Sequence, residues 1–250
     1  MTSRDSSHAA GHTEPSTASI PSRALAEFVA GLHLTDVPVP VRERALQLML
    51  DAIGVGLAAR RYPFAERTLA AALALGGGQG ASTVIGQGVR LPLRDAALVN
   101  GVLLHGLDFD DTHLTAIIHP TVACLPAAFG VAETQNASGA AMLAAYIAGM
   151  ECAIRIGACV NGGFHHVGFH ATSVIAHFSS ALVAGRLIGL RPDAGTAEQR
   201  QGDQSRRKDR LAGDSREEPL HGTSSHRQTA DCGASGAAAP RRPLDIGFGV

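Results

Sequence analysis

Between Leu104 and Pro120 the chain reads LHGLDFDDTHLTAIIHP, which sets His105, Asp108, Asp110, Asp111, Thr112, His113 and His119 in one short break between two apolar stretches. Core packing has no use for so many polar groups. Imidazoles that titrate near neutrality, next to carboxylates, are the components of general acid–base chemistry. A second stretch, NGGFHHVGFHATSV, uses Gly162, Gly163 and Gly168 as a flexible loop that delivers His170 to the start of a helix at Thr172. The free N–H groups of a helix N-terminus attract carboxylates or phosphates and tend to keep a nearby imidazole neutral, which suits a base. Seven of the twelve His lie between positions 105 and 177, so the two stretches read as one site.

The three aspartates divide by position. Asp108 continues the face of the preceding helix through Leu104, four residues earlier, so it is expected to point inward, near His119. Asp110 and Asp111 are expected to end that helix in water or to cap the next one. Two metal readings compete with this. His105, Asp108 and His113 are spaced so that one helical turn and the following loop present three ligands. Asp108, Asp110 and Asp111 also form a run similar to the Asp-rich motif with which helical prenyl-transferring enzymes hold magnesium, although those enzymes use two such motifs and one is visible here. The reading adopted is acid–base chemistry with no metal and no organic cofactor. A magnesium-dependent helical enzyme is kept as an alternative.

The elements that must hold this site are helices. Apolar residues make up 45% of the 250 residues, aromatics only 4%, and there is no Trp. Such Ala- and Leu-rich composition favours helix over strand. About seven helices are expected: from Pro21, Val39 to Arg61, Pro63 to Leu75, from Asp95, His119 to Glu133, Ser138 to Val160, and Thr172 to Leu190. The one extended segment is expected between Ala81 and Leu93. The net charge of −1 gives no reason to expect nucleic acid or an anionic membrane as a partner. Cys124, Cys152, Cys159 and Cys232 form no CxxC pair, and three lie in apolar helical patterns, so free buried thiols in a reducing compartment are expected. The first residues are polar and carry no apolar signal segment. With no run of about 18 uncharged apolar residues, a cytoplasmic protein without a membrane span is expected.

Residues 1–18 read as a disordered leader, 19–190 as the helical domain, and 191–250 as an unpatterned tail. That tail holds ten of the 21 Lys and Arg, including the chain's one lysine, Lys208, and nine of the 22 Asp and Glu, without apolar periodicity. Disorder explains it. A frame disruption that replaced the original downstream sequence explains it equally.

The chain resembles the MmgE/PrpD family, cofactor-independent lyases that include 2-methylcitrate dehydratase and cis-aconitate decarboxylase. The resemblance rests on VNGVLLHGLDFDDTH, HPTVACLPAAFGVAE, AAYIAGMECAIRIG and GFHATSVIAHFSSALVAGRLIGL, and covers about Leu25 to Leu190. It implies an all-α domain carrying most of the site, with the family's smaller α/β lid domain lacking downstream, and a homodimer. It implies a dehydratase or decarboxylase acting on a small di- or tricarboxylate. By the same resemblance Asp108, His119 and His170 are the catalytic residues, with Thr112 lining the pocket, and His113 beside it is assigned to substrate binding. His119 and His170 take the acid and base roles, and Asp108 orients one of them. The family's substrate-contacting Lys, in a Thr-Lys-Pro-Leu-His stretch, has Glu218 of EEPLH as its nearest counterpart here. A carboxylate there repels a tricarboxylate. The alternative reading is therefore a truncated, non-catalytic helical remnant that dimerises through exposed apolar surface.

Overall fold

The computed structural model describes residues 21–192. Within them the chain forms eight α-helices: α1 (Pro21–Gly31), α2 (Val39–Ala59), α3 (Pro63–Gly76), α4 (Leu93–His105), α5 (Pro120–Thr134), α6 (Gly139–Val160), α7 (Gly163–His166) and α8 (Ala171–Leu187). A one-turn 3-10 helix, Leu34–Asp36, joins α1 to α2. The fold is all-α, as the composition implies. The extended segment is a minimal hairpin in which β1 (Ser82–Thr83) pairs antiparallel with β2 (Arg90–Leu91). Seven of the helices lie where the apolar periodicity puts them. The eighth, α7, is a four-residue turn inside the Gly-rich stretch expected to be a flexible loop.

Helix boundaries follow local chemistry. Pro40, Pro63 and Pro120 occupy first-turn positions, where the missing N–H costs nothing. Ser138 caps α6 by accepting a hydrogen bond from the Ala141 N–H at 3.2 Å. Gly77 ends α3 in the left-handed conformation.

The core is a three-helix packing of α5, α6 and α8, with α4 laid on α5 and α2 on α4. Tyr146, Ile147, Met150, Leu125 and Ile175 are among its fully buried side chains. Small residues let these helices approach closely. A Cβ at Gly149 of α6 would lie 2.3 Å from Val183 of α8 and 3.2 Å from the Cys124 sulfur of α5. The hairpin is pinned by two side chains. Asn100 of α4 accepts from the Ile85 N–H and donates to the Thr83 carbonyl, while Glu133 of α5 accepts from the Thr83 N–H and hydroxyl and pairs with Arg90. The Arg186 guanidinium of α8 donates to the Val29 and Leu32 carbonyls, tying α1 to the bundle.

α6 is by length and composition apolar enough to cross a membrane, although Glu151 and Arg155 lie in it; 67% of the qualifying window is buried inside the fold, as in a core helix. Cys124 and Cys152 are buried as expected, but Cys159 is exposed near the end of α6. The leader, the tail and Glu218 lie outside the described residues.

Candidate active site

The site forms where α4 ends and where α5 and α8 begin. His105 is the last residue of α4, and His119 and His170 are the residues that immediately precede α5 and α8. Their rings lie 4.7 Å (His105–His119), 5.7 Å (His105–His170) and 6.4 Å (His119–His170) apart, centroid to centroid. The backbone N–H of His119 donates to the Thr172 hydroxyl at 3.0 Å, which locks the two helix starts together.

Asp110 is the hub. Its side chain is fully buried, and its carboxylate meets the His105 Nδ1 at 3.0 Å and the His119 Nδ1 at 3.4 Å. The hydrogen bond to the Asp110 carboxylate raises the His105 pKa above its ordinary value, against an opposing effect of burial. The other ring nitrogen of His119, Nε2, faces an Asp108 oxygen at 3.5 Å, and the Thr112 hydroxyl lies 3.4 Å from its Nδ1. Both nitrogens of His119 therefore face acceptors. His170 is shifted the opposite way. Burial lowers its pKa, and the neighbouring His105, His119 and His165 lower it further. Burial and the imidazole neighbours, rather than the helix N-terminus, lower the His170 pKa.

The aspartates are arranged differently from the helical-face expectation. The Asp108 side chain is 79% exposed, and Asp110 is the inward one. The reason is local. α4 stops at His105, Gly106 caps it, and Asp108 turns left-handed at φ 57°, so the Leu104 face does not continue into the loop. Asp111 does cap the next helix, since its Oδ1 accepts the Thr121 N–H at 3.2 Å. Burial is the largest influence on Asp111 and pushes its pKa up to about 6. Thr121 continues inward, its hydroxyl 2.7 Å from the Tyr146 hydroxyl.

Of the residues assigned from sequence, Asp108, Thr112, His119 and His170 come together. The His113 Nδ1 accepts the Ala116 N–H at 3.1 Å, bracing the 113–118 loop. It is not among the groups that converge with His105 and Asp108. Instead, ligand atoms of His105, Asp108, Asp110 and His119 all lie within 4.8 Å of one another, and Asp111 is not among them. The three aspartates thus do not form one magnesium-binding face. Sequence reasoning assigned no catalytic part to His105 or Asp110. The available signal was Gly106, which ends α4 and lets the chain double back so that residues five apart meet.

Burial also pushes the Cys152 thiol up to about 12 and the Cys124 thiol higher still, so neither is a ready nucleophile.

An all-α domain that gathers imidazoles and carboxylates at the start of two core helices defines a narrow class. The model of the MmgE/PrpD N-terminal domain matches residues 23–197, and this chain belongs to the MmgE/PrpD family. It is 32% identical over 177 residues to the cis-aconitate decarboxylase-like protein oryM of Aspergillus oryzae, covering 68% of this chain and 36% of that protein. It is 32% identical over 176 residues to cis-aconitate decarboxylase of Aspergillus terreus, with the same coverage. Against human cis-aconitate decarboxylase it is 33% identical over 182 residues, covering 63% of this chain and 33% of the human protein. The chain spans about a third of the length of these relatives.

Proposed function

We propose that this chain carries the acid–base site of a cofactor-independent lyase acting on a small di- or tricarboxylate of the cis-aconitate or 2-methylcitrate type. One observation carries the reading. His119 and His170 stand at the N-termini of two core helices, with their rings 6.4 Å apart and the buried Asp110 carboxylate against His119. Helix N-termini attract carboxylates, and two facing imidazoles supply a proton donor and a proton acceptor across a bound acid.

The roles follow from the environments. His170, held neutral near pH 7 by its lowered pKa, is the base. His119, with an acceptor facing each ring nitrogen, is the acid, oriented by Asp110 and Thr112 and approached by Asp108. In a dehydration, His170 takes the proton on the carbon next to a carboxylate, the C–O bond breaks, and His119 protonates the departing hydroxyl to give water and an alkene. In a decarboxylation, the C–C bond to the leaving carboxylate breaks, CO2 departs, and the resulting carbanion takes a proton from His119, the acid. His113 is assigned to loop support rather than to substrate. The similarity to proteins named cis-aconitate decarboxylase supports decarboxylation as the first reaction to try.

The test is turnover of cis-aconitate and of 2-methylcitrate by the full chain, with His170→Ala and a chelator-treated sample beside it. Loss of one proton-transfer group is expected to lower kcat by about 10²–10⁴-fold, with turnover retained after chelation. Turnover unchanged in His170→Ala contradicts the assignment. Folded protein without turnover on either acid favours the helical remnant, and activity abolished by chelator favours the magnesium enzyme.

A further inference from the structure

We infer that His105, Asp108, Asp110 and His119 form a binding site for a divalent cation of the zinc class, and that its occupation switches the acid–base site off. The inhibitory half rests on the lyase reading; the binding half does not.

The geometry points to a four-coordinate ion. At metal–ligand distances of about 2.0–2.1 Å, the ligands of a tetrahedral zinc stand about 3.3–3.4 Å from one another. Here the His105 Nδ1 and Asp110 Oδ1 are 3.0 Å apart, and the His119 Nδ1 and the same oxygen are 3.4 Å apart. One donor atom from each of the four residues falls within 4.8 Å of every other. The two pairs that share the Asp110 oxygen thus already stand near tetrahedral spacing, and closing the remaining pairs from within 4.8 Å completes a coordination shell. Two carboxylates and two neutral imidazoles also balance the charge of a dication. The imidazoles select the kind of ion: magnesium and calcium take oxygen ligands, whereas imidazole suits zinc, cobalt, nickel and copper. Asp110 and His105 are held by burial and helix packing, while Asp108 is exposed and free to close over the ion or to yield its place to water. A bound ion occupies the lone pairs of His119 and Asp110 that proton transfer requires, so the ion inhibits this reaction.

The experiment uses the full chain, stripped with chelator, and titrates it with Zn²⁺ by calorimetry and with Co²⁺ by visible absorption. Asp110→Asn, His105→Ala and the remote His33→Ala are compared, with circular dichroism checking that each is folded. The expected result is one Zn²⁺ per chain in the wild type and in His33→Ala, with affinity weakened at least tenfold in Asp110→Asn and His105→Ala. Bound Co²⁺ should give the intense visible bands of a four-coordinate centre, and Mg²⁺ should not compete. No stoichiometric binding, or equal affinity in wild type and the near-isosteric Asp110→Asn, overturns the site. Zinc bound with turnover undiminished overturns only the inhibition. Stripped protein that binds zinc but turns over neither acid keeps the site and removes the lyase reading instead.

Discussion

Asp110 shows how one buried carboxylate sets the behaviour of several neighbours. Because its hydrogen bond is the largest influence raising the His105 pKa, Asp110→Asn is expected to move the His105 titration midpoint downward, followed by NMR of the imidazole resonances. An unchanged midpoint removes Asp110 from that role. Asp111 gives a second prediction, in stability. Its pKa rises from 3.8 to about 6 on folding, so the folded state binds its proton more tightly than the unfolded chain does. Stability therefore falls as pH rises from about 4 through about 6, because above that range the carboxylate is charged and desolvated in the fold. Asp111→Asn keeps an oxygen for the Thr121 N–H and removes the charge. It is expected to melt above wild type at pH 7.5, by an effect of up to about 3 kcal/mol at about 1.4 kcal/mol per pKa unit, with the gap closing near pH 4. At this scale the sequence was informative about His119, His170 and Thr112, whose motif positions coincide with their places in the cluster. It misled about Asp108 and Asp110, because extending the helical period past Gly106 assigned inward and outward facing the wrong way round. The bond from the Ala116 N–H to His113 was not legible, because a side chain that satisfies its own loop looks, in sequence, like any other histidine beside a site.

Among the elements, α6 supports the 113–118 loop between the aspartates and His119 without contributing a site residue. A Cβ at Gly157 would lie 2.8 Å from the Ala116 side chain and 3.0 Å from the Ala116 carbonyl oxygen, so the 113–118 loop can pack on α6 only because that position is glycine. Gly157→Ala is expected to push this loop away and lower turnover while the helices persist, read as reduced kcat with unchanged helical circular dichroism. Gly149→Ala acts on the core instead. Its methyl would meet Val183 at 2.3 Å, and overpacking of this kind costs about 1–3 kcal/mol, measurable as a lower denaturation midpoint. The helices themselves were legible because apolar periodicity, first-turn prolines and the Ser138 cap all agree with one assignment. Their packing was not. Nothing in the period of α6 distinguishes a core helix that passes for a membrane span from one that crosses a bilayer, until α5 and α8 are seen to cover it.

For the whole molecule, exposed apolar side chains mark where further association is expected. Leu46, Leu50 and Leu57 stand out from α2, and Phe109, Leu114 and Phe169 from the loops around the histidines. Patches of this kind are commonly interfaces. Light scattering after size exclusion is expected to give a dimer, twice the 25.7 kDa chain, and Leu50→Asp to shift it toward monomer; a well-behaved wild-type monomer contradicts the homodimer. The family was legible at this scale because its motifs bring chemistry-bearing residues into fixed order along about 170 residues. Which acid fits was not legible, since selectivity depends on surfaces that face the cluster rather than on the cluster itself. The central claim is that His119 and His170 move a proton at a carbon beside a carboxylate. The most direct measurement is NMR of cis-aconitate incubated with the full chain in D2O, for wild type, His119→Ala and His170→Ala. Wild type is expected to release CO2 and place deuterium on the product carbon, with both signals strongly reduced in each variant. Deuterium incorporation that is equal in all three, or absent from folded wild-type protein, contradicts that claim.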